Sequence, residues 1–450
     1  MVAIGLYFFS KSKGAGEKDY FLGGRNMGAW VSALSAGASD MSAWVLMGLP
    51  ASIYLSGMGQ TWIAIGLGIG YAVSWIFMAP RLRRFSIAAG DSITIPQYLT
   101  NRFLSKNKSL QILSAIIFLV AYTIYAASSI KACGTLFNTV MDIDPTVAMY
   151  IAAFIIVAYT FLGGFSAVCW TDFFQGMIML AALLIAPLFA LALAKAGAAL
   201  PDGFFNFFTT PQDIISGLGW GLGYFGMPHI IIRFMSLKSE KELRKSSVIG
   251  ISWTTIILIM SALTAIAGRL YLGEIEDSST VFITMVRRIF PALVSGLLLS
   301  AILSAAMSTA DSQLLAASSA FASDVYKPVI RKKASDSEML WAGRIVVIVI
   351  AVVALMIASD PNSGSIMGLV ENAWGVFGAS FGPVILLSLF WKRLTFGGTV
   401  AGIAVGAAVD ILWLVFLSST DIYEIVPGFA AGLLAAVVVS LLSKGPGKDV

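Results

Sequence analysis

Ala36-Gly37-Ala38-Ser39-Asp40-Met41-Ser42 places a carboxylate, a glycine and two hydroxyls in the middle of an otherwise apolar, membrane-length segment. A carboxylate at the centre of a bilayer helix costs about 2.5–3.5 kcal/mol on insertion scales, so such groups face a partner, a cavity or an ion. The segment is hard to keep helical, and Asp40 is a functional candidate from the outset. The surrounding composition fixes the solvent. Hydrophobic residues make up 58% and charged residues 12% of the 450 residues, and the mean hydropathy is +0.87. Soluble domains carry roughly a quarter charged residues, so this is an integral membrane chain.

Runs long enough to cross a hydrocarbon core recur along the whole sequence. Spans are expected over 28–58, 61–80, 109–140, 146–166, 168–197, 213–236, 246–271, 291–325, 338–358, 365–391, 397–418 and 424–443. Met1 to Phe9 is too short to cross alone and lacks signal-peptide features, so it reads as the remnant of a leading helix. The net charge of +5 belongs to a membrane face and not to a nucleic-acid surface. Lys11, Lys13, Lys18 and Arg25 lie in one connection, and Arg81, Arg83, Arg84, Arg102, Lys106 and Lys108 in another. Lys238, Lys241, Arg244 and Lys245, then Lys327, Arg331, Lys332 and Lys333, then Lys392 and Arg393, fill later alternate loops. The intervening loops carry Asp142, Asp144, Glu274, Glu276, Asp277, Asp360 and Asp421. The positive-inside rule makes the basic loops cytoplasmic. The amino terminus is then outside and the carboxyl terminus, with Lys444 and Lys448, inside. Arg287 and Arg288 run against this pattern and are expected on an interfacial helix at the outer side.

Cys133 and Cys169 imply no disulfide framework, and His229, the one histidine, rules out a multi-histidine metal site. No phosphate-binding G-x-x-x-x-G-K-[ST] loop is present. A second interrupted span is legible at Gly217-Leu218-Gly219-Trp220-Gly221-Leu222-Gly223-Tyr224-Phe225-Gly226-Met227-Pro228. Five glycines and a proline oppose one straight helix; close helix packing through small residues is the competing reading. Position separates the two readings. The interruptions open successive sets of five spans, which must have opposite membrane orientation, and interrupted segments at matching positions of an inverted repeat point to a midplane binding site.

The residues also resemble a known family. Tyr20-Phe21-Leu22-Gly23-Gly24-Arg25 and Ala33 to Ser42 are similar to the opening of the sodium/solute symporters. Met47-Gly48-Leu49-Pro50, Phe161 to Phe165, Trp170-Thr171-Asp172, Trp220 to Gly226 and Leu299 to Thr309 continue the likeness. The agreement covers about residues 19–440 and is greatest to the bacterial, proline-carrying members. It implies an all-α, leucine-transporter-type inverted repeat of five plus five core helices with extra flanking helices. The expected parts are a leading remnant and loop at 1–27, a first repeat at 28–197, a second at 213–391, and two additional spans with a tail at 392–450.

The resemblance also implies a sodium ion shared by the first and eighth core helices. Its ligands would be the carbonyls of Ala38, Met41 and Ala305 and the hydroxyls of Ser308 and Thr309; the bland reading of those hydroxyls is a bond to a carbonyl one turn earlier. Asp40 is expected to cap the outer half of its helix alongside Ser42, with Ser39 supporting the site, while its charge favours the ion. Ser308, Asp311 and Ser312 share one helix face. Related symporters with an additional sodium use a carboxylate matching Asp172, so a second cation site or a release relay is expected at Asp172, Ser308, Asp311 and Ser312. The alternative is that Asp311 pairs with a basic residue.

For the substrate, the resemblance points to Trp44, Tyr125, Trp220 and Tyr224, with Pro228 shaping the second break. Aromatic walls suit a small apolar ring. Ala43 and Met227 depart from the family's glycine and glutamine, and Lys131 is expected to snorkel outward. The expected activity is sodium-coupled import of L-proline across a bacterial inner membrane, with no catalytic group and no obligatory protein partner. The alternatives are another cargo, such as pantothenate, another amino acid or a sugar, and a sensor or channel of the same fold.

Overall fold

The computed structural model describes residues 4, 7, 17–105, 107–194 and 200–447. The leading apolar stretch is therefore largely outside the described residues, as are Lys11, Lys13, Lys106 and Lys448.

The chain is helical, and the two interruptions divide it as the sequence implies. A short helix α1 (Glu17–Leu22) leads to α2 (Ala29–Asp40), which ends at Met41 and Ser42. After a 3-10 turn at Ala43–Val45 the span resumes as α3 (Gly48–Ser56). Then follow α4 (Met58–Ala88), α5 (Ile95–Arg102), α6 (Ser109–Met141), α7 (Pro145–Ala158) and α8 (Gly164–Leu193). Gly164 has φ 62° and ψ −176°, and this left-handed kink, open to glycine at no steric cost, separates α7 from α8. The second broken span consists of α9 (Pro211–Gly219), a 3-10 stretch at Trp220–Phe225 and α10 (Pro228–Ser236). Beyond it lie α11 (Glu240–Leu272), α12 (Val281–Ile289), α13 (Ala292–Ile330), α14 (Asp336–Ser359), α15 (Ile366–Phe390), α16 (Phe396–Phe416) and α17 (Ile425–Leu442). Nine of the described helices are long and apolar enough to cross a membrane, and Ala43–Ser56 and Pro145–Ala158 are shorter apolar helices. Arg287 and Arg288 sit on α12, the short helix between α11 and α13.

One detail differs from the sequence expectation. The first helix stays α-helical through Ala38 to Asp40, and the break begins one residue later, at Met41. Ala38 and its neighbours are thus the last turn of a half-helix, whose carbonyls have no amides ahead of them.

Both readings of the glycine-rich span hold together. It is unwound, and its glycines also permit backbone-to-backbone packing: a Cβ on Gly66 or Gly70 of α4 would overlap the carbonyls of Gly217 and Gly221. Small residues give membrane helices this close approach.

Candidate functional site

The site is built where the first break meets α13, and the second break joins it through Tyr224. In a continuous helix the Ser42 amide would bond the Ala38 carbonyl. Here it turns to the Asp40 carbonyl at 2.9 Å, and the Val45 amide bonds Ser42 at 3.1 Å instead of Met41. The Ala38 carbonyl is taken up by the Ser308 hydroxyl of α13, which donates to it at 2.8 Å. The same hydroxyl lies 3.2 Å from the Ala305 carbonyl. The Thr309 hydroxyl is buried without a hydrogen-bond partner among the described residues. Ala38, Met41, Ala305, Ser308 and Thr309 are all fully buried. The structure thus brings the break of α2 onto Ala305, Ser308 and Thr309, and it does so through neutral oxygens. The Ser39 hydroxyl donates back to the Ala36 carbonyl at 3.3 Å.

Asp40 does not cap. Its Oδ2 accepts from the Tyr224 hydroxyl at 2.5 Å, and its Oδ1 has no partner among the described residues. The reason is direction: Asp40 ends the half-helix before the break, so the free amides of the next half lie beyond it. Ser42 takes the capping role alone, accepting from the Trp44 amide at 3.4 Å. Asp40 instead ties the first break to the second through Tyr224.

The aromatic residues gather around this junction. The Trp44 indole donates to the Asp40 carbonyl at 3.2 Å, and the Tyr125 hydroxyl reaches the same oxygen at 3.4 Å. Trp44 and Trp220 lie 6.4 Å apart, and Trp220 is also 6.4 Å from Trp374 and 5.0 Å from Tyr423. The Trp374 indole donates to the Trp220 carbonyl at 2.8 Å. Pro228 opens α10 and Met227 is its N-cap, so both bound the second break as expected. Trp44, Tyr125, Trp220 and Tyr224 are 3% exposed or less; the aromatic chamber is closed around its own side chains.

Asp172, Asp311 and Ser312 form a neighbouring cluster, organised by a residue the sequence reading did not include. Arg233 of α10, 1% exposed, places Nη2 at 3.1 Å from Asp172 Oδ2 and 2.6 Å from Ser312 Oγ. Its Nε donates to Ser35 at 3.1 Å and its Nη1 to the His229 carbonyl at 2.5 Å. Ser35 donates to Asp172 at 2.7 Å, and Ser312 lies 3.3 Å from Asp311 Oδ1. A guanidinium therefore already supplies the positive charge at Asp172. Ser308, expected in this cluster, makes its hydrogen bonds with Ala38 and Ala305. The signal for Arg233 was available: an arginine inside the apolar run His229 to Met235 needs an intramembrane acid as partner.

The basic end of the bundle is latched. The Met27 amide bonds the Ser236 carbonyl at 3.1 Å, and the Lys238 amide returns to Met27 at 3.2 Å. Arg25 donates to the Met235 carbonyl at 2.6 Å, the Ser92 carbonyl at 2.8 Å and Asp91 at 2.8 Å; Lys18 also pairs with Asp91. Partial burial pushes the Asp91 carboxyl up, but the bonds from Lys18 and Arg25 outweigh it and hold the group below its usual range. Glu242 of α11 accepts the Ala29 amide at 2.9 Å and caps α2 from outside the helix. At the opposite end Lys131 reaches the Ser363 hydroxyl at 2.9 Å and the Gly364 carbonyl, the outward reach expected of it.

A model of the sodium:solute symporter family matches residues 20–406. The chain belongs to that family. It is 44% identical to the high-affinity proline transporter PutP of Bacillus subtilis (strain 168) over 464 residues, covering 100% of this chain and 97% of that one. It is also 44% identical to the sodium/proline symporter of Haemophilus influenzae over 477 residues, covering 100% and 94%. Among solved structures, a sodium-coupled sialic acid symporter in a substrate-bound outward-open state superposes with a TM-score of 0.81 at 21% identity, covering 99% of this symporter and 96% of that chain. Mhp1, a nucleobase-cation-symport-1 family transporter, superposes with a TM-score of 0.61 at 15% identity, covering 94% and 93%. These two likenesses confirm the fold of this symporter.

Proposed function

We propose that this symporter couples the entry of sodium to the import of L-proline by alternating access. The observation that carries the reading is the contact of Ser308 with the Ala38 carbonyl at 2.8 Å, beside the unpartnered Thr309 hydroxyl. A hard monovalent cation is served by several neutral oxygens, and this junction offers them from two helices that alternating access must move apart. Sodium is here a co-substrate. On binding it takes over the Ala38 carbonyl from the Ser308 hydrogen, and the ion then links α2 to α13 in place of that hydrogen bond. The names of the relatives supply the cargo.

The chamber supports the same cargo. Indole and phenol faces from Trp44, Trp220 and Tyr125 suit a pyrrolidine ring. The start of α10 after Met227 offers helix amides to a carboxylate, and the carbonyls around Asp40 suit an ammonium. With the basic loops cytoplasmic, the latch at Arg25, Met27 and Ser236 is the inner gate and the Trp44–Trp220–Trp374 layer faces outward. On this orientation the amino terminus is outside the cell, in the inner membrane of a bacterium. A charge crossing 100 mV gains about 2.3 kcal/mol, and a tenfold gradient adds about 1.4 kcal/mol. One sodium therefore supports roughly several-hundred-fold accumulation.

Radiolabelled proline uptake into proteoliposomes with an imposed inward sodium gradient tests this, with a panel of unlabelled small carboxylates as competitors. Sodium-dependent uphill uptake inhibited best by proline is expected. Uptake that stops at equilibration contradicts the coupling, and a different best competitor replaces the cargo.

A further inference from the structure

Three acids meet at the outer end of the bundle, away from both helix breaks. Asp410 lies on α16, Glu371 on α15 and Glu424 immediately before α17. Asp410 is fully buried, and both of its oxygens lack a hydrogen-bond partner among the described residues; Glu424 is 6% exposed and its Oε1 is likewise unpartnered. The two side chains converge on one bare position of α15. A Cβ on Gly375 would sit 2.9 Å from Asp410 Oδ1 and 3.4 Å from both Asp410 Oδ2 and Glu424 Cγ. The acid that faces Asp410 is Glu424, at the entry to α17; Glu371 of α15 faces Glu424 in turn, and Tyr423 lies beside all three. No ion pair involves Asp410, Glu371 or Glu424 among the described residues.

A carboxylate cannot stay ionised in such a place without compensation. No group of three or more acidic, histidine or cysteine side chains among the described residues is arranged to hold a metal ion. We infer that Asp410 is a proton-binding site, a carboxylic acid kept neutral beside Glu424 whose loss of the proton loosens the outer layer of the transporter. The approach is through Glu424: a cavity of about 600 Å³, lined by Glu371, Glu424 and Ser216, opens at this end and reaches the acid beside Asp410. Transmission is present too. The Tyr423 hydroxyl donates to the Glu371 carbonyl at 2.9 Å while its ring packs on Trp220, which Trp374 of α15 holds by its indole. Charge on Asp410 repels Glu424 and acts on the α15–α17 contact that backs this stack.

The test is infrared titration of the full-length protein in lipid nanodiscs, with no substrate present, so that it stands apart from the identity of the cargo. In the wild-type minus Asp410→Asn difference spectrum at neutral pH the band of one buried protonated carboxylic acid is expected, fading as the pH is raised; Asp40 and the other buried acids are common to both proteins and cancel. The same difference taken in a Glu424→Gln background is expected to keep the band and to lose it at a pH lower by roughly one unit, because a like charge has been removed. Absence of the band from the difference spectrum at neutral pH overturns the assignment. An unchanged titration midpoint in Glu424→Gln overturns the pairing.

Discussion

Replacing Ser308 with alanine tests the proposed sodium site, because the structure gives the hydrogen bond that the ion would replace. Ser308 Oγ donates to the Ala38 carbonyl at 2.8 Å in a fully buried position. That bond contributes about 0.5–1.5 kcal/mol net, and an interaction with a charged group about 1.5–3 kcal/mol. Binding sodium exchanges the first for the second. The variant makes neither, so its sodium affinity falls by the difference, about 1–2 kcal/mol, which is roughly a five- to thirty-fold rise in half-saturating sodium. The assay is the initial rate of labelled proline uptake against sodium concentration at fixed proline and constant ionic strength. Saturating sodium should restore most of the rate, since the chamber is untouched. A half-saturating sodium within about twofold of the wild type would refute the reasoning, as would a loss of rate that sodium does not rescue in folded protein.

Other consequences follow from the same contacts. Thr309→Ala should weaken sodium dependence in the same way, whereas Thr309→Ser, which keeps the hydroxyl, should stay within about threefold in the same assay. Tyr224→Phe removes the only bond to Asp40 Oδ2 among those described and should lower thermal stability in detergent by about 1–3 kcal/mol, read by the loss of monodisperse protein on heating. Arg233→Met leaves Asp172 buried and unpaired and should cost about 3–5 kcal/mol; the double variant Arg233→Met/Asp172→Leu should recover much of it, and failure to recover would mean that packing of the guanidinium, including its position over Phe165, dominates. At the basic-end latch, the depressed Asp91 carboxyl adds stability that is present above the unfolded value near pH 4 and is lost as the pH falls through the lower folded value. The rate of labelling Met27→Cys, divided at each pH by the rate in Met27→Cys/Asp91→Asn so that thiol reactivity cancels, should therefore be low above about pH 4 and approach one as the pH falls below it.

The parts of the fold carried by composition were legible in the chain. Apolar length placed the spans, and the glycines and proline at Gly217 to Pro228 marked the second break within a residue or two. Spacing also showed that Ser308, Asp311 and Ser312 share a face. What the sequence hid were contacts between distant elements. Asp40 looked like a helix cap because local hydrogen bonding is the usual fate of such a residue; only the packing of α10 against α2 brings Tyr224 to it. Arg233 was not singled out, and its role depends on α10 carrying it to Asp172 of a distant helix. The boundary at Gly164 depended on a backbone conformation that residue type permits but does not dictate. The pairing of Asp410 with Glu424 was not legible, because it depends on α16 and the entry to α17 converging on Gly375 of α15.

Direct binding of radioactive sodium to the purified protein puts the central claim at most risk, because it bypasses transport and needs no assumption about orientation. The account predicts saturable binding in the wild type, strengthened by proline and weakened in both Ser308→Ala and Thr309→Ala. Equal sodium affinity in all three proteins, with or without proline, would contradict it.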